Sequence, residues 1–215
     1  MVYRAWRHAL PDTAVIAIRL PGRESRLGEP PIGSMAILVE TLGMEILPHL
    51  RQPFAFLGHS MGAIVAFELT RWLRSNGHAL PKALHVSAAR APQYRLHHKP
   101  DPEPDEQSFV NELRRLEGMP REILDNPELM RIALPALRAD AALYRQYVYH
   151  PDEPLALPIH AYGGMSDPNI QREHLEKWGE QTASEFTIQQ FEGGHFYIHT
   201  AESLFLESLR SKLVR

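Results

Sequence analysis

The chain has 215 residues, 44% hydrophobic and 23% charged, which suits one domain with a sizeable core over residues 1–215. Its 23 basic and 26 acidic residues leave a net charge of −3, with no basic run interleaved with aromatics, which excludes nucleic acid as a partner. It has no cysteine, and so no thiol nucleophile, thiolate metal site or disulfide. The start, Met1-Val2-Tyr3-Arg4-Ala5-Trp6-Arg7-His8, carries no signal-peptide core. No apolar run approaches the roughly 20 residues that span a bilayer. A cytoplasmic protein with no membrane partner is expected.

Residues 13–20 form an apolar, β-branched run stopped by Pro21-Gly22, and predict a strand. After a polar loop, Ser34 is placed to cap a helix with Leu38, Leu42 and Ile46 on its apolar side. Gly43 weakens that helix, and Pro48 ends or kinks it.

Residues 54–57 predict the next strand, which runs into Gly58-His59-Ser60-Met61-Gly62 and then a helical pattern to about Ser75. Strand, Gly-x-Ser-x-Gly and helix together read as a nucleophile elbow with Ser60 at its apex. Gly58 and Gly62 lack a Cβ, so strand and helix can approach closely there. Ser60 would be the nucleophile, and the Met61 N–H would point at a developing oxyanion.

Residues 83–88 predict another strand, and alternating strands and helices imply a parallel sheet covered by helices. The alternation breaks between Arg90 and Pro154. A proline-rich entry at residues 100–104 leads to helical patterns at residues 105–117 and 127–148, around a short segment at 119–124, with Pro135 expected to kink the longer one. This insertion, about residues 100–152, is expected to be a lid over the site, with Leu116, Met119, Met130 and Leu134 among the residues lining an apolar substrate pocket. His97-His98 has no carboxylate at ligand spacing and reads as a solvated loop, so no metal is expected.

Residues 157–162 predict a strand that ends in Gly163-Gly164-Met165-Ser166-Asp167-Pro168. Asp167 is placed to orient a histidine, and it can also cap the turn before a helix near Asn169. Asp152 and Glu153 lie before that strand, at its wrong end. A last strand over residues 185–191 ends in Glu192-Gly193-Gly194-His195, which puts His195 where a general base must stand, alone among twelve histidines.

These motifs resemble one family. Leu20-Pro21-Gly22-Arg23-Glu24-Ser25-Arg26 is similar to its Pro-Gly-Arg loop, and Gly58 to Ala63 to its elbow. The run from Asp140 to Tyr147 resembles its lid helix, Gly163 to Asp167 its acid loop, and Gly193 to Phe196 its base loop. Trp178 and Thr182 stand where it has a Trp and a Thr. The family is the type II thioesterases of polyketide and nonribosomal peptide synthesis. The resemblance implies an α/β-hydrolase fold, a mostly parallel sheet covered by helices, with a helical lid. It implies cofactor-free hydrolysis of acyl groups held as thioesters on the phosphopantetheine arm of an acyl or peptidyl carrier protein. Ser60, Asp167 and His195 would be the catalytic triad, and the protein a monomer.

The family begins with a strand and a loop like Phe-Pro-x-Ala-Gly-Gly, upstream of the position matching Trp6. That loop gives its second oxyanion N–H, so a truncated or misassigned start is expected here. Losing one such donor typically costs about 10²–10³ in rate. Three other readings are a small-ester carboxylesterase or acyltransferase, a catalytically impaired module that binds acylated carrier protein, and a release domain cut from a synthase. An acidic carrier surface would meet Arg90, Arg95 or Arg114, and Arg114-Arg115 reads as a solvated helix face, with contact to an anionic partner as its second reading.

Overall fold

The computed structural model describes residue 3 and residues 6–96, 102–116 and 121–213. The chain opens with α1 (Trp6–Ala9) and α2 (Met35–Ile46), and then enters the sheet through β1 (Phe56–His59). α3 (Met61–Ser75) leads to β2 (Leu84–Ser87). An insertion of α4 (Glu106–Leu116), α5 (Arg121–Leu124) and α6 (Pro127–Gln146) precedes β3 (Ile159–Gly164). α7 (Arg172–Glu176), β4 (Phe186–Phe191), α8 (Tyr197–Thr200) and α9 (Glu202–Leu213) complete it.

Among the described residues the strands form one parallel sheet in the order β1-β2-β3-β4. Each connection therefore crosses over through helices, as parallel strands require. β3 lies inside the sheet and is buried at every residue, as a strand covered on both faces must be. One apolar cluster joins α2 and α3 to the sheet through Leu38, Leu42, Ile64, Phe67 and Ile159. A second joins Trp6 of α1 to Tyr162, Phe191, Tyr197 and Phe205. The indole N–H of Trp6 donates to Glu202 at 2.8 Å, so α1 is tied to α9.

Residues 13–20 correct the reading of a first strand. They join no ladder among the described residues, with Ile16 and Ile18 exposed at 61% and 47%. β-branched composition marks a segment that fits a pleated surface, but only a neighbouring strand supplies the hydrogen bonds. β1 spans residues 56–59 rather than 54–57, because its pairing with β2 runs from Phe56↔Leu84 to His59↔Ser87. The helix expected near Asn169 begins at Arg172, where Gln171 and His174 form a reciprocal cap.

α4, α5 and α6 bury Phe109, Leu124 and Met130, which belong to neither main cluster. Leu116 and Leu134 are half-buried. α6 runs through Pro135, while its Leu143 joins the main core. Arg23 of the Pro-Gly-Arg loop grips Asp140 of α6 with two bonds of 2.7 Å. Met119 and His97-His98 lie outside the described residues.

The second face also carries a polar row across three strands, buried at His85 and His160. His85 stands opposite His160 and His160 opposite Thr187. His160 Nδ1 lies 2.8 Å from Thr187 Oγ1, and His85 Nδ1 3.1 Å from the Tyr162 hydroxyl. Burial first, then the neighbouring His160 and Lys212, lower His85 from its ordinary 6.5 to about 3. A histidine held neutral in the fold gains its proton on unfolding, so its stabilising contribution is whole above pH 6.5 and is lost as pH falls toward 3. The slope is about 1.4 kcal/mol per pH unit for one proton. His85→Leu should flatten the pH dependence of the unfolding free energy by up to that amount between pH 6 and 4. Urea unfolding over that range measures it, and an unchanged slope would show that His85 is not held neutral.

Candidate active site

Ser60, Asp167 and His195 each follow the carboxyl end of a different strand, β1, β3 and β4. Because the strands are parallel, those ends share one edge of the sheet, where open α/β sheets bind ligands. Ser60 has φ 55° and ψ −123°, a left-handed conformation that costs about 1–3 kcal/mol outside glycine. Its backbone N–H donates to Ser87 O at 2.7 Å, and its carbonyl accepts from Ala63 at 3.0 Å.

Gly58 permits this turn. A Cβ there would stand 2.0 Å from Gly62 O, so no side chain fits. Gly62 departs from expectation, since a Cβ on it meets nothing within 4 Å. The close approach is made by the backbone of Gly62 against Gly58, so only one of the two glycines needs to lack a side chain.

The acid and base loops are joined to each other. Met165 N–H donates to Phe191 O at 2.8 Å, and Ser166 N–H to Gly193 O at 2.9 Å. A Cβ on Gly164 would stand 2.1 Å from Gly194 O, so this seam also depends on a bare backbone. The join sets Asp167 Oδ2 2.7 Å from His195 Nδ1, and His195 Nε2 3.0 Å from Ser60 Oγ.

The direction of these bonds follows from the groups. An ionised carboxylate only accepts, so His195 Nδ1–H donates to Asp167. Nε2 is left as the acceptor for the Ser60 hydroxyl. Burial pushes the Asp167 carboxyl up, but the His195 hydrogen bond and the amides of Asn169 and Ile170 outweigh it and hold the group below its ordinary range. Those amides donate to Oδ1 at 2.8 and 3.2 Å. The turn-capping and histidine-facing geometries of Asp167 thus coexist, one on each oxygen.

Met61 is the first residue of α3, where a helix N–H has no intrahelical acceptor. Such a donor beside the serine can stabilise an oxyanion. The arrangement as a whole can draw a proton from a hydroxyl while it attacks a carbonyl. Among the described residues no group of three or more His, Asp or Glu could hold a metal ion. Asp152 pairs with Arg74 at 2.5 Å and with Arg71 at 3.6 Å.

Two residues of this neighbourhood are absent from the sequence reading. Ser87 Oγ lies 2.8 Å from His59 Nδ1 and 2.6 Å from the Tyr197 hydroxyl. The three side chains link the residue before Ser60 to one just past His195. His59 is lowered from 6.5 to about 3 by burial first and then by the charge of His195, so it stays neutral beside that ring. The available signal was Ser87 itself, a polar residue in a fully buried strand, which must find partners.

A groove of about 690 Å³ lies between α2, α3 and α6, lined by Val39, Glu68, Trp72 and Tyr147 among others. Ser60, His195, Leu116, Met130 and Leu134 do not line it.

A family model described as a thioesterase domain matches residues 1–213. The gramicidin S biosynthesis protein GrsT of Aneurinibacillus migulanus is 42% identical over 216 residues, covering 97% of this chain and 82% of that protein. The type II thioesterase BorB from the borrelidin biosynthetic cluster superposes with TM-score 0.88 at 36% identity, over 98% of this chain and 86% of its own. YbtT, a type II thioesterase from the yersiniabactin pathway, superposes with TM-score 0.82 at 31% identity, over 97% and 86% of the two chains. With that match, those neighbours and a helix-covered parallel sheet, the chain belongs to the thioesterase domain family, as a type II thioesterase of α/β-hydrolase fold.

Proposed function

We propose that this thioesterase clears aberrant acyl groups from the phosphopantetheine arms of carrier proteins in polyketide or nonribosomal peptide synthesis. Ser60, His195 and Asp167 are its catalytic triad in this reading. The observation that carries it is their single hydrogen-bonded line in a chain of this family. His195 takes the Ser60 proton as Oγ attacks the thioester carbonyl. The tetrahedral oxyanion meets the Met61 N–H, and the C–S bond breaks as His195 returns the proton to sulfur. His195 then takes a proton from water, which attacks the acyl-serine, and gives it to Ser60 Oγ as the acid leaves. Asp167 holds the ring's tautomer and stabilises its cation. Every atom transferred comes from thioester or water, so no cofactor is called for. The helices α4–α6 serve as the lid, with the half-buried Leu116 and Leu134 toward the acyl chain.

Mass-spectrometric release of acetyl and hexanoyl groups from loaded carrier protein, beside p-nitrophenyl esters of the same acids, tests this. A kcat/KM for the carrier-bound thioester at least tenfold above that for the ester is expected. A preference for the ester would favour a small-ester hydrolase instead.

A further inference from the structure

Two arginines from distant parts of the chain meet beside the acid loop. Arg90 follows the carboxyl end of β2, and Arg115 lies in the last turn of α4. Arg90 Nε and Nη2 donate to the Asn169 carbonyl at 3.4 and 3.2 Å. Arg115 Nη2 donates to Asn169 Oδ1 at 3.0 Å. Asn169 is a neutral residue whose own N–H donates to Asp167 at 2.8 Å. Two exposed guanidiniums therefore share one uncharged partner at the lip of the site.

Among the described residues neither guanidinium has a carboxylate within ion-pair distance, in contrast to Arg114, which reaches Asp125 at 3.0 Å. The nearby Asp167 charge is already met by His195 and two amides. Glu173, beside His174, is 75% exposed and solvated. His174 is lowered by burial first and then by the Arg90 cation, against the opposing charges of Glu173 and Asp167. Tyr94 and Met165, exposed at 41% and 64%, present apolar surface on the loops after β2 and β3. Arginine is suited to such a place because its fork matches a phosphate's oxygens, and a charge-assisted bond of that kind is stronger than one to a neutral amide.

We propose that Arg90 and Arg115 anchor the phosphodiester of the phosphopantetheine arm, exchanging their weak bonds to Asn169 for its two free oxygens. This rests on the carrier-thioesterase reading and extends it from the thioester to the far end of the arm. Of the adjacent pair Arg114-Arg115 it takes Arg115, which reaches Asn169, while Arg114 reaches Asp125.

Acetyl-phosphopantetheine and acetyl-pantetheine differ only in the phosphate. The native protein should show kcat/KM at least tenfold higher for the phosphorylated thioester, mostly through KM, and the ratio should shrink as salt rises from 0.05 to 0.5 M. Arg90→Ala/Arg115→Ala should bring the ratio to near one, and Arg90→Lys/Arg115→Lys should restore part of it. Because the readout is a ratio, general damage to the acid loop lowers both rates and leaves it intact. A native ratio of one, or a ratio unchanged in the alanine double variant, overturns the anchor. So does a native ratio of one with carrier-protein binding lost in the variant, which would assign the arginines to protein carboxylates. Calorimetry of the Ser60→Ala protein with phosphopantetheine and with pantetheine decides the anchor without turnover. If neither thioester is hydrolysed while esters are, the functional reading fails, and equal affinity of the two arms separately fails the anchor.

Discussion

Replacing Ser60 by alanine is expected to lower kcat for thioester hydrolysis by about 10⁵–10⁶, while the protein remains folded and still binds its substrate. The size follows from the proposed role of Ser60 as nucleophile of a triad whose members act as a unit, where losing the serine costs nearly as much as losing all three. What remains, the Met61 N–H and the binding surface, is of the kind that leaves about 10³–10⁴ of acceleration over water. The fold should tolerate the change because the backbone hydrogen bonds of residue 60, to Ser87 O and from Ala63 N, stay, and only the bond of Oγ to His195 is lost. Alanine at φ 55° bears the same strain as serine, so the melting temperature should move by no more than a few degrees. Single-turnover kinetics on acyl-loaded carrier protein, with labelling by a fluorophosphonate, reads both chemistry and reactivity. A variant that keeps a hundredth of native kcat would place the nucleophile elsewhere.

The parts of this site legible in the sequence are those with a local cause. Gly58 and Ser60 announce the elbow because a strand-to-helix turn this tight excludes a Cβ at one point and exposes a side chain at the next. Asp167 and His195 could be named because each stands just past a strand-like run followed by two glycines. What escaped depends on distant partners. Residues 13–20 have strand composition, but composition carries no information about whether an adjacent strand exists to pair with. Arg114 and Arg115 are adjacent in the chain yet some 100° apart around the helix. Only the tilt of α4 against the acid loop decides which one reaches Asn169 and which one Asp125. The link from Ser87 to Tyr197 spans 110 positions, with nothing local to mark it.

Asp167→Asn should lower kcat by about 10⁴ with little loss of structure, the drop expected when a triad loses its tautomer control. The geometry gives the reason. Oδ1 of residue 167 accepts the amides of Asn169 and Ile170, and an asparagine carbonyl can keep both bonds. Its NH₂ then faces His195 Nδ1 at the place where the carboxylate accepted. A donor facing Nδ1 makes that nitrogen the acceptor and moves the ring proton to Nε2. Nε2–H now points at Ser60 Oγ, and the hydroxyl has no base to give its proton to. The imidazolium formed on attack also loses its counter-charge. Stability should respond in the opposite sense at low pH. A carboxyl held below its ordinary range contributes stability that is full above its unfolded value and is lost as pH falls through the folded one. The asparagine variant lacks that dependence, so its unfolding free energy should fall less steeply than the native protein's below pH 4. Asp152→Asn is the control, since Asp152 serves Arg74 and Arg71 instead. A loss in the Asp167 variant under tenfold, or an equal loss in the Asp152 variant, would remove Asp167 from its proposed role as the group that orients His195.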